Sequence, residues 1–236
     1  MSAWFVAGSH TDVGKTHVAC ALIRAARARG LSADAFKPVV SGFDPADWGD
    51  SDPGRLLQAL GRPLTPATLE AISPFRFTAP LAPPAAAARQ GVSLGLDDIA
   101  GKTVGWLDAV RADLRLVEGV GGVMSPLADD ATGLDLMARL RLPAVLVGGS
   151  YLGGISHTLT AIETLAARRL AVAAVVVSQS ADPDAPDLDE TVDLTRRFAR
   201  GAPVIAAPRS GGEAWAGALL DRLLRPDNRR NLSEPA

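Results

Sequence analysis

The stretch that most constrains this chain is Gly8-Ser9-His10-Thr11-Asp12-Val13-Gly14-Lys15-Thr16. It follows an apolar run, Ala3 to Ala7, and opens an amphipathic stretch that Gly30 ends. A strand, a glycine loop and a helix in that order gather backbone N–H groups at a helix N-terminus, where an anion is favoured. Lys15 would reach phosphate oxygens, and the Thr16 hydroxyl would ligate a divalent cation. Gly8 stands one residue earlier than the usual G-x-x-x-x-G-K-[ST] spacing requires, with Ser9 in the glycine position. A purely structural glycine turn is the competing reading.

The rest of the chain alternates short apolar runs with helical patterns. The pattern predicts strands at 3–7, 33–37, 114–118, 144–147, 172–177 and 204–206. It predicts helices at 14–29, 53–60, 65–71, 84–90, 97–111, 133–140, 155–168, 188–199 and 213–224. Residues 42–53, rich in Asp, Gly and Pro, read as a loop. Apolar strands without polar alternation belong to a parallel sheet buried on both faces. The expected fold is α/β: one three-layer P-loop NTPase domain over 1–225, its mostly parallel sheet covered by helices on both faces. The polar, Pro-containing stretch 226–236 reads as a flexible tail.

Several function classes fall away on composition. The formal charge of −2 argues against nucleic acid as a partner. The single cysteine, Cys20, permits neither a disulfide framework nor a Cys-based zinc site, and fits a reducing compartment. Apolar runs such as 170–177 fall short of the ~18 residues that cross a bilayer. The N-terminus lacks the basic segment of a signal peptide. A cytoplasmic protein without a membrane partner is expected. Only three lysines occur among the 24 Lys and Arg residues: Lys15, Lys37 and Lys102. A lysine left in so arginine-rich a chain marks a place where a compact ammonium is useful.

Candidate chemistry gathers at strand ends. Glu118 ends a buried strand, at the edge where open α/β sheets bind ligands. Asp52 follows in the polar loop after the second strand. Either acid suits Mg²⁺ beside phosphates, and either could instead cap a loop. Lys37 ends the second predicted strand. With Lys15 it would bring two ammonium groups to one site, which repel unless anions lie between them.

These segments, together with Lys37-Pro38-Val39 and Ser41, Ser51-Asp52 and Val117-Glu118-Gly119-Val120-Gly121-Gly122, resemble the dethiobiotin synthetase family. The likeness continues through Leu152-Gly153-Gly154-Ile155-Ser156-His157 and covers roughly residues 1–210. The resemblance implies closure of a ureido ring on 7,8-diaminononanoate with CO₂ and ATP, in biotin synthesis. It implies a homodimer with substrate at the subunit interface. It gives Asp12, Val13, Gly14, Lys15, Thr16 and His17 to the nucleotide phosphates, and Thr16, Asp52 and Glu118 to Mg²⁺. Lys37, Lys15 and Thr11 would be catalytic. Thr11, Lys37, Ser41, Leu152, Gly153, Gly154 and Ser156 would meet substrate. Glu118, Gly119, Gly121, Ser178, Gln179, Pro208 and Arg209 would complete the nucleotide site. Where the family carries Asn-Asp after the 172–177 strand, this chain has Ser178-Gln179, which leaves CTP or another nucleoside triphosphate as an alternative to ATP. Tyr151 and Ser156 stand where Lys and Asn are expected. The rival readings are a partitioning or regulatory switch ATPase and a different amidating ligase on the same fold. The switch proteins carry an early loop lysine, and here the positions read His10-Thr11-Asp12.

Overall fold

A computed structural model describes residues 2–210 and 212–225. The expected tail at 226–236 lies outside the described residues. The strands are β1 (Ser2–Gly8), β2 (Ala33–Phe36), β3 (Val39–Ser41), β4 (Phe75–Phe77), β5 (Leu114–Glu118), β6 (Ala144–Gly149), β7 (Val172–Ser178) and β8 (Val204–Ala207). The helices are α1 (Lys15–Ala28), α2 (Asp52–Leu60), α3 (Pro66–Ile72), α4 (Pro83–Arg89), α5 (Leu96–Ala109), α6 (Gly133–Leu140), α7 (Gly154–Ala167), α8 (Leu188–Phe198) and α9 (Ala214–Leu223).

Six strands form one sheet in the order β2-β5-β1-β6-β7-β8, with every strand pairing parallel. Successive side chains of β1 serve opposite faces. Ala3, Phe5 and Ala7 join a core with α4, α5, α6, α7 and α8 residues such as Trp106, Leu134 and Ile162. Trp4 and Val6 join a second core with α1, α2 and α9 residues such as Leu22, Leu57 and Leu219. These two cores make the three layers.

The helix α1 follows from its sequence. Val18, Ala19, Leu22, Ile23 and Ala26 are fully buried along one face. Burial of side chains the size of Leu22 and Ile23 contributes about 1.5–3 kcal/mol each. Gly30, at φ +72°, ends it, and its N–H bonds the Arg27 carbonyl.

Two departures from the sequence pattern lie near the site. The residues after Lys37 pair as β3 with β4 in a separate two-stranded sheet, which the pattern does not show. Asp52 is the first residue of α2 rather than part of the preceding loop. Ser51 caps that helix, accepting the Gly54 N–H at 3.4 Å, and Pro53 fits the first turn.

Candidate active site

The phosphate loop runs from the end of β1 into α1, at the carboxyl edge of the sheet. Two residues carry it through left-handed backbone: Asp12 at φ +58° and Gly14 at φ +95°. Gly8 is required by close approach. A Cβ there would lie 2.8 Å from the His10 carbonyl oxygen and 2.9 Å from that of Gly121. A Cβ on Gly122 would meet the Ser9 oxygen at 2.9 Å. The two glycine segments that the sequence separates by over a hundred residues thus interlock, and Val123 N–H bonds the Gly8 carbonyl at 2.9 Å.

Four side chains from four parts of the chain meet beside this loop. Lys37 Nζ is 2.7 Å from Glu118 Oε1 and 2.7 Å from Asp52 Oδ2, and donates more weakly to the Gly119 carbonyl at 3.3 Å. Thr16 Oγ1 is 2.7 Å from Asp52 Oδ1 and 2.6 Å from Glu118 Oε1. Lys37 is 1 % exposed and the Glu118 side chain 0 %, whereas the Asp52 side chain is 42 % exposed. Burial opposes the Lys37 charge, but the Glu118 and Asp52 carboxylates outweigh it and hold the ammonium well above its ordinary range. Burial also pushes Asp52 up, yet Lys37, Thr16 and Lys15 together hold its carboxyl down at about 2. Lys15 behaves differently. Burial first, then the Lys37 charge, pull its ammonium down to about 8, against the opposing carboxylates. Its Nζ donates to the His10 carbonyl at 3.3 Å.

The donor set suits Mg²⁺. The Thr16 hydroxyl has one proton for two carboxylates, and Glu118 Oε2 is buried with no partner. A cation would satisfy both surpluses. Among the described residues no group of three or more His, Cys, Asp and Glu converges on a metal position. Two carboxylates and a hydroxyl are nonetheless what Mg²⁺ takes when waters and phosphate oxygens fill its other positions.

Two clefts adjoin the phosphate loop and share Asp12, and the first also takes in Thr16 and Asp52 of this cluster. One, of about 410 Å³, is lined by Asp12, Gly14, Lys15, Thr16, His17, Asp52, Arg55, Ser178 and Arg209. The other, of about 700 Å³, holds Thr11, Asp12, Ser41 and Gly121, walled by Pro80 to Pro83 and by Ser125. The Lys37, Asp52, Glu118 and Thr16 cluster brings together the residues the sequence singled out most strongly. Others are placed less directly. Val13 is buried in the core, so only its backbone faces the loop. Gly119 lines a small apolar gap with Phe5 and Met137, outside both clefts. Gln179 uses its side-chain oxygen to accept the Arg209 N–H at 2.9 Å, while Arg209 Nε donates to the Gln179 carbonyl at 3.0 Å. Pro208 lines neither cleft. Leu152, Gly153, Gly154 and Ser156 also lie outside both clefts. Leu152 is 91 % exposed at the start of α7.

Arg55 and Trp215 escaped the sequence reading, as did the ring contacts of Tyr151. Arg55 lines the smaller cleft from α2. Only its spacing three residues after Asp52, on one helix face, could have pointed to it. Trp215 packs its ring on His17 at 5.8 Å, and burial lowers the His17 pKa. Tyr151 Oη lies 2.7 Å from His157 Nδ1, and the His157 ring stacks on His10 of the phosphate loop at 5.5 Å. These rings tie the start of α7 to the loop.

An AAA domain family model matches residues 2–207. The ATP-dependent dethiobiotin synthetase BioD of Phenylobacterium zucineum is 63 % identical over 223 residues, covering 94 % of this chain and 95 % of that protein. The protein of the same name from Caulobacter vibrioides is 56 % identical over 225 residues, covering 95 % of this chain and all of that one. The chain belongs to the dethiobiotin synthetase family. Among solved structures, the MinC:MinD cell division protein complex of Aquifex aeolicus matches with a TM-score of 0.54 at 11 % identity, covering 100 % of this chain and 98 % of that one. At that identity the match concerns the fold alone, the P-loop α/β fold expected from the sequence. Like its synthetase relatives, this chain is an ATP-dependent ligase.

Proposed function

We propose that this chain closes the ureido ring of dethiobiotin from 7,8-diaminononanoate, CO₂ and ATP, releasing ADP and phosphate. The observation that carries the reading is the meeting of Lys37, Thr16, Asp52 and Glu118 beside the phosphate loop, whose cleft Thr16 and Asp52 line. In this reading the nucleotide occupies the smaller cleft and the diamine the larger. The γ-phosphate then lies between Lys15 and Lys37.

The chemistry asks little of any single side chain. One substrate amine adds CO₂ to give a carbamate, an anion and therefore a poor electrophile. Transfer of the γ-phosphoryl group makes a carbamic–phosphoric anhydride. The second amine attacks within the same molecule, so proximity supplies much of the rate, and phosphate leaves as the ring closes. The protein's task is to position groups and neutralise charge. Lys37, held charged by Glu118 and Asp52, would exchange these partners for carbamate and phosphoryl oxygens, which are anions in their turn. Lys15 and the N–H groups from Asp12 to His17 would hold the phosphates. Thr11 and Ser41 would face the carbamate from the larger cleft. Mg²⁺, held by Thr16, Asp52 and Glu118, would add positive charge at the phosphate oxygens. Ser178 and Arg209 would border the base and ribose. The Leu152 to Ser156 segment, exposed at Leu152, Gly153 and Ser156, would serve the carboxylate of substrate in a second subunit, so the working form is a homodimer. Among the described residues no helix is long and apolar enough to cross a membrane, and we place the reaction in the cytoplasm.

The test is phosphate release from Mg²⁺-ATP and bicarbonate, with and without 7,8-diaminononanoate. Diamine-dependent release, with dethiobiotin detected by mass spectrometry, is the expected result. Diamine-independent hydrolysis would favour a switch ATPase instead.

A further inference from the structure

We propose that Arg55 is a phosphate contact of the nucleotide site, reaching in from α2 one helical turn beyond Asp52. The inference rests on the nucleotide reading of the 410 Å³ cleft and adds a residue to it.

The other cations around the cleft are already engaged. Lys37 lies between two carboxylates, and Lys15 donates to the His10 carbonyl. Arg24 is paired with Glu213, Arg27 donates to the Ala59 carbonyl at 2.8 Å, and Arg209 donates to Gln179. Arg55 alone among these makes no side-chain hydrogen bond or ion pair within the described residues. An unpaired arginine is ordinary on an open surface. This one shares a cleft wall with Lys15 and Thr16, and it also lines an adjoining cleft with Thr16, His17 and Cys20. Its charge reaches His17, whose pKa burial lowers first and the arginines 24, 209 and 55 lower further.

Charge balance gives the arginine a purpose. Lys15 and Lys37 do not offset the carboxylates of Asp12, Asp52 and Glu118. On that count of five side chains the site carries one negative charge, and a divalent cation turns it into a single positive charge, too little to offset the four negative charges of a triphosphate. A free guanidinium at the rim corrects this. Its planar fork of donors matches two phosphate oxygens at once, and its pairing partner arrives with the ligand.

Binding calorimetry on the full chain tests this with ADP and with adenosine as probes, each with and without Mg²⁺. Arg55→Ala is expected to raise the ADP dissociation constant about tenfold and to leave adenosine binding unchanged, since a charged hydrogen bond to phosphate is lost and no base contact is. Arg55→Lys is expected to recover part of the loss. The KM for ATP should rise by a similar factor while the KM for the diamine stays put. An ADP dissociation constant for Arg55→Ala within twofold of the native chain overturns the proposal. Equal weakening of ADP and adenosine also overturns it, by assigning Arg55 to the base or to the shape of the cleft. Failure of the native chain to bind ADP at all would instead remove the nucleotide reading on which the proposal rests.

Discussion

Replacing Lys37 with methionine keeps most of its volume and removes its charge, and this separates its part in the fold from its part in the reaction. Lys37 is buried and bonded to the fully buried Glu118 at 2.7 Å. Without it, Glu118 is a buried carboxylate facing Asp52 across one hydroxyl. Breaking a buried pair by removing one partner costs about 3–5 kcal/mol. Only the Glu118 half of the pairing is counted, because solvent screens the 42 % exposed Asp52. For a chain of this size each kcal/mol moves the melting temperature by about 2–4 °C, so Lys37→Met should melt roughly 6–20 °C below the native chain at pH 8. The comparison is made at several pH values between about 8 and 5. In the native chain Asp52 adds no slope there. Asp52 titrates at about 2 when folded against 3.8 as a free carboxylate, so its contribution is complete above the higher value and fades only as the pH falls toward the lower. MgCl₂ should raise the melting temperature of the variant more than that of the native chain, because the cation supplies the missing charge. ADP binding should survive within a few-fold while turnover is lost. Thermal melts across pH, with and without MgCl₂, and ADP calorimetry check all of this. A variant that melts within about 2 °C of the native chain at pH 8 would refute the electrostatic reasoning. Loss of ADP binding as deep as that of Lys15→Ala would refute the assignment of Lys37 to the transferred group.

Three further outcomes follow from the same geometry. Thr16→Val removes the hydroxyl between Asp52 and Glu118 and should raise the Mg²⁺ concentration for half-maximal activity about tenfold or more, read by metal titration at fixed ATP. Gly14→Ala places a methyl group 2.6 Å from Ser178 Oγ on left-handed backbone, a conformational cost alone of about 1–2 kcal/mol. It should abolish measurable ADP binding while far-ultraviolet circular dichroism stays native. Because the Lys15 ammonium titrates near 8 in the free protein, kcat/KM for ATP should fall as the pH rises from 7 to 9. Lys15 is also a stability cost that is full below that pKa and relieved as the pH climbs toward 10.5. Native melts should therefore gain, in this contribution, over a window where activity declines.

The layers and the chemical cluster were legible from sequence for one reason. The phosphate loop, Lys37 and Glu118 each end or directly follow a β-rich run, and the carboxyl edge of a parallel sheet gathers such ends. What stayed hidden has equally physical causes. The strands β3 and β4 are three residues each, too short for an apolar period to register, and Pro38 masks the first. Asp52 read as loop because the Asp, Gly and Pro around it signal turns, although Ser51 and Pro53 also make a sound helix start. Arg55 offered only its spacing from Asp52, because an exposed helical arginine is otherwise indistinguishable in sequence from a solvated one. The bond between Gln179 and Arg209 depends on how the turns after β7 and β8 meet, which no local pattern encodes. The ring contacts among His10, Tyr151 and His157 join segments far apart in the chain and are likewise visible only in the fold.

The scarcity of lysine gives the cleft an unusual chemical signature. Three side-chain amines differ sharply in their readiness to react as nucleophiles. Lys37 is sealed and protonated, Lys102 is a surface amine, and Lys15 loses its proton near 8 at the floor of the phosphate loop. The single thiol offers no competition, since Cys20 is buried and its pKa is pushed up to about 12 by that burial. An acylating group carried on a nucleotide therefore has one amine to meet. Peptide mapping should find the acyl group on Lys15, with protection by excess ADP. The loop that recognises phosphate would then double as a site-selective handle for covalent ligands, with no engineered cysteine.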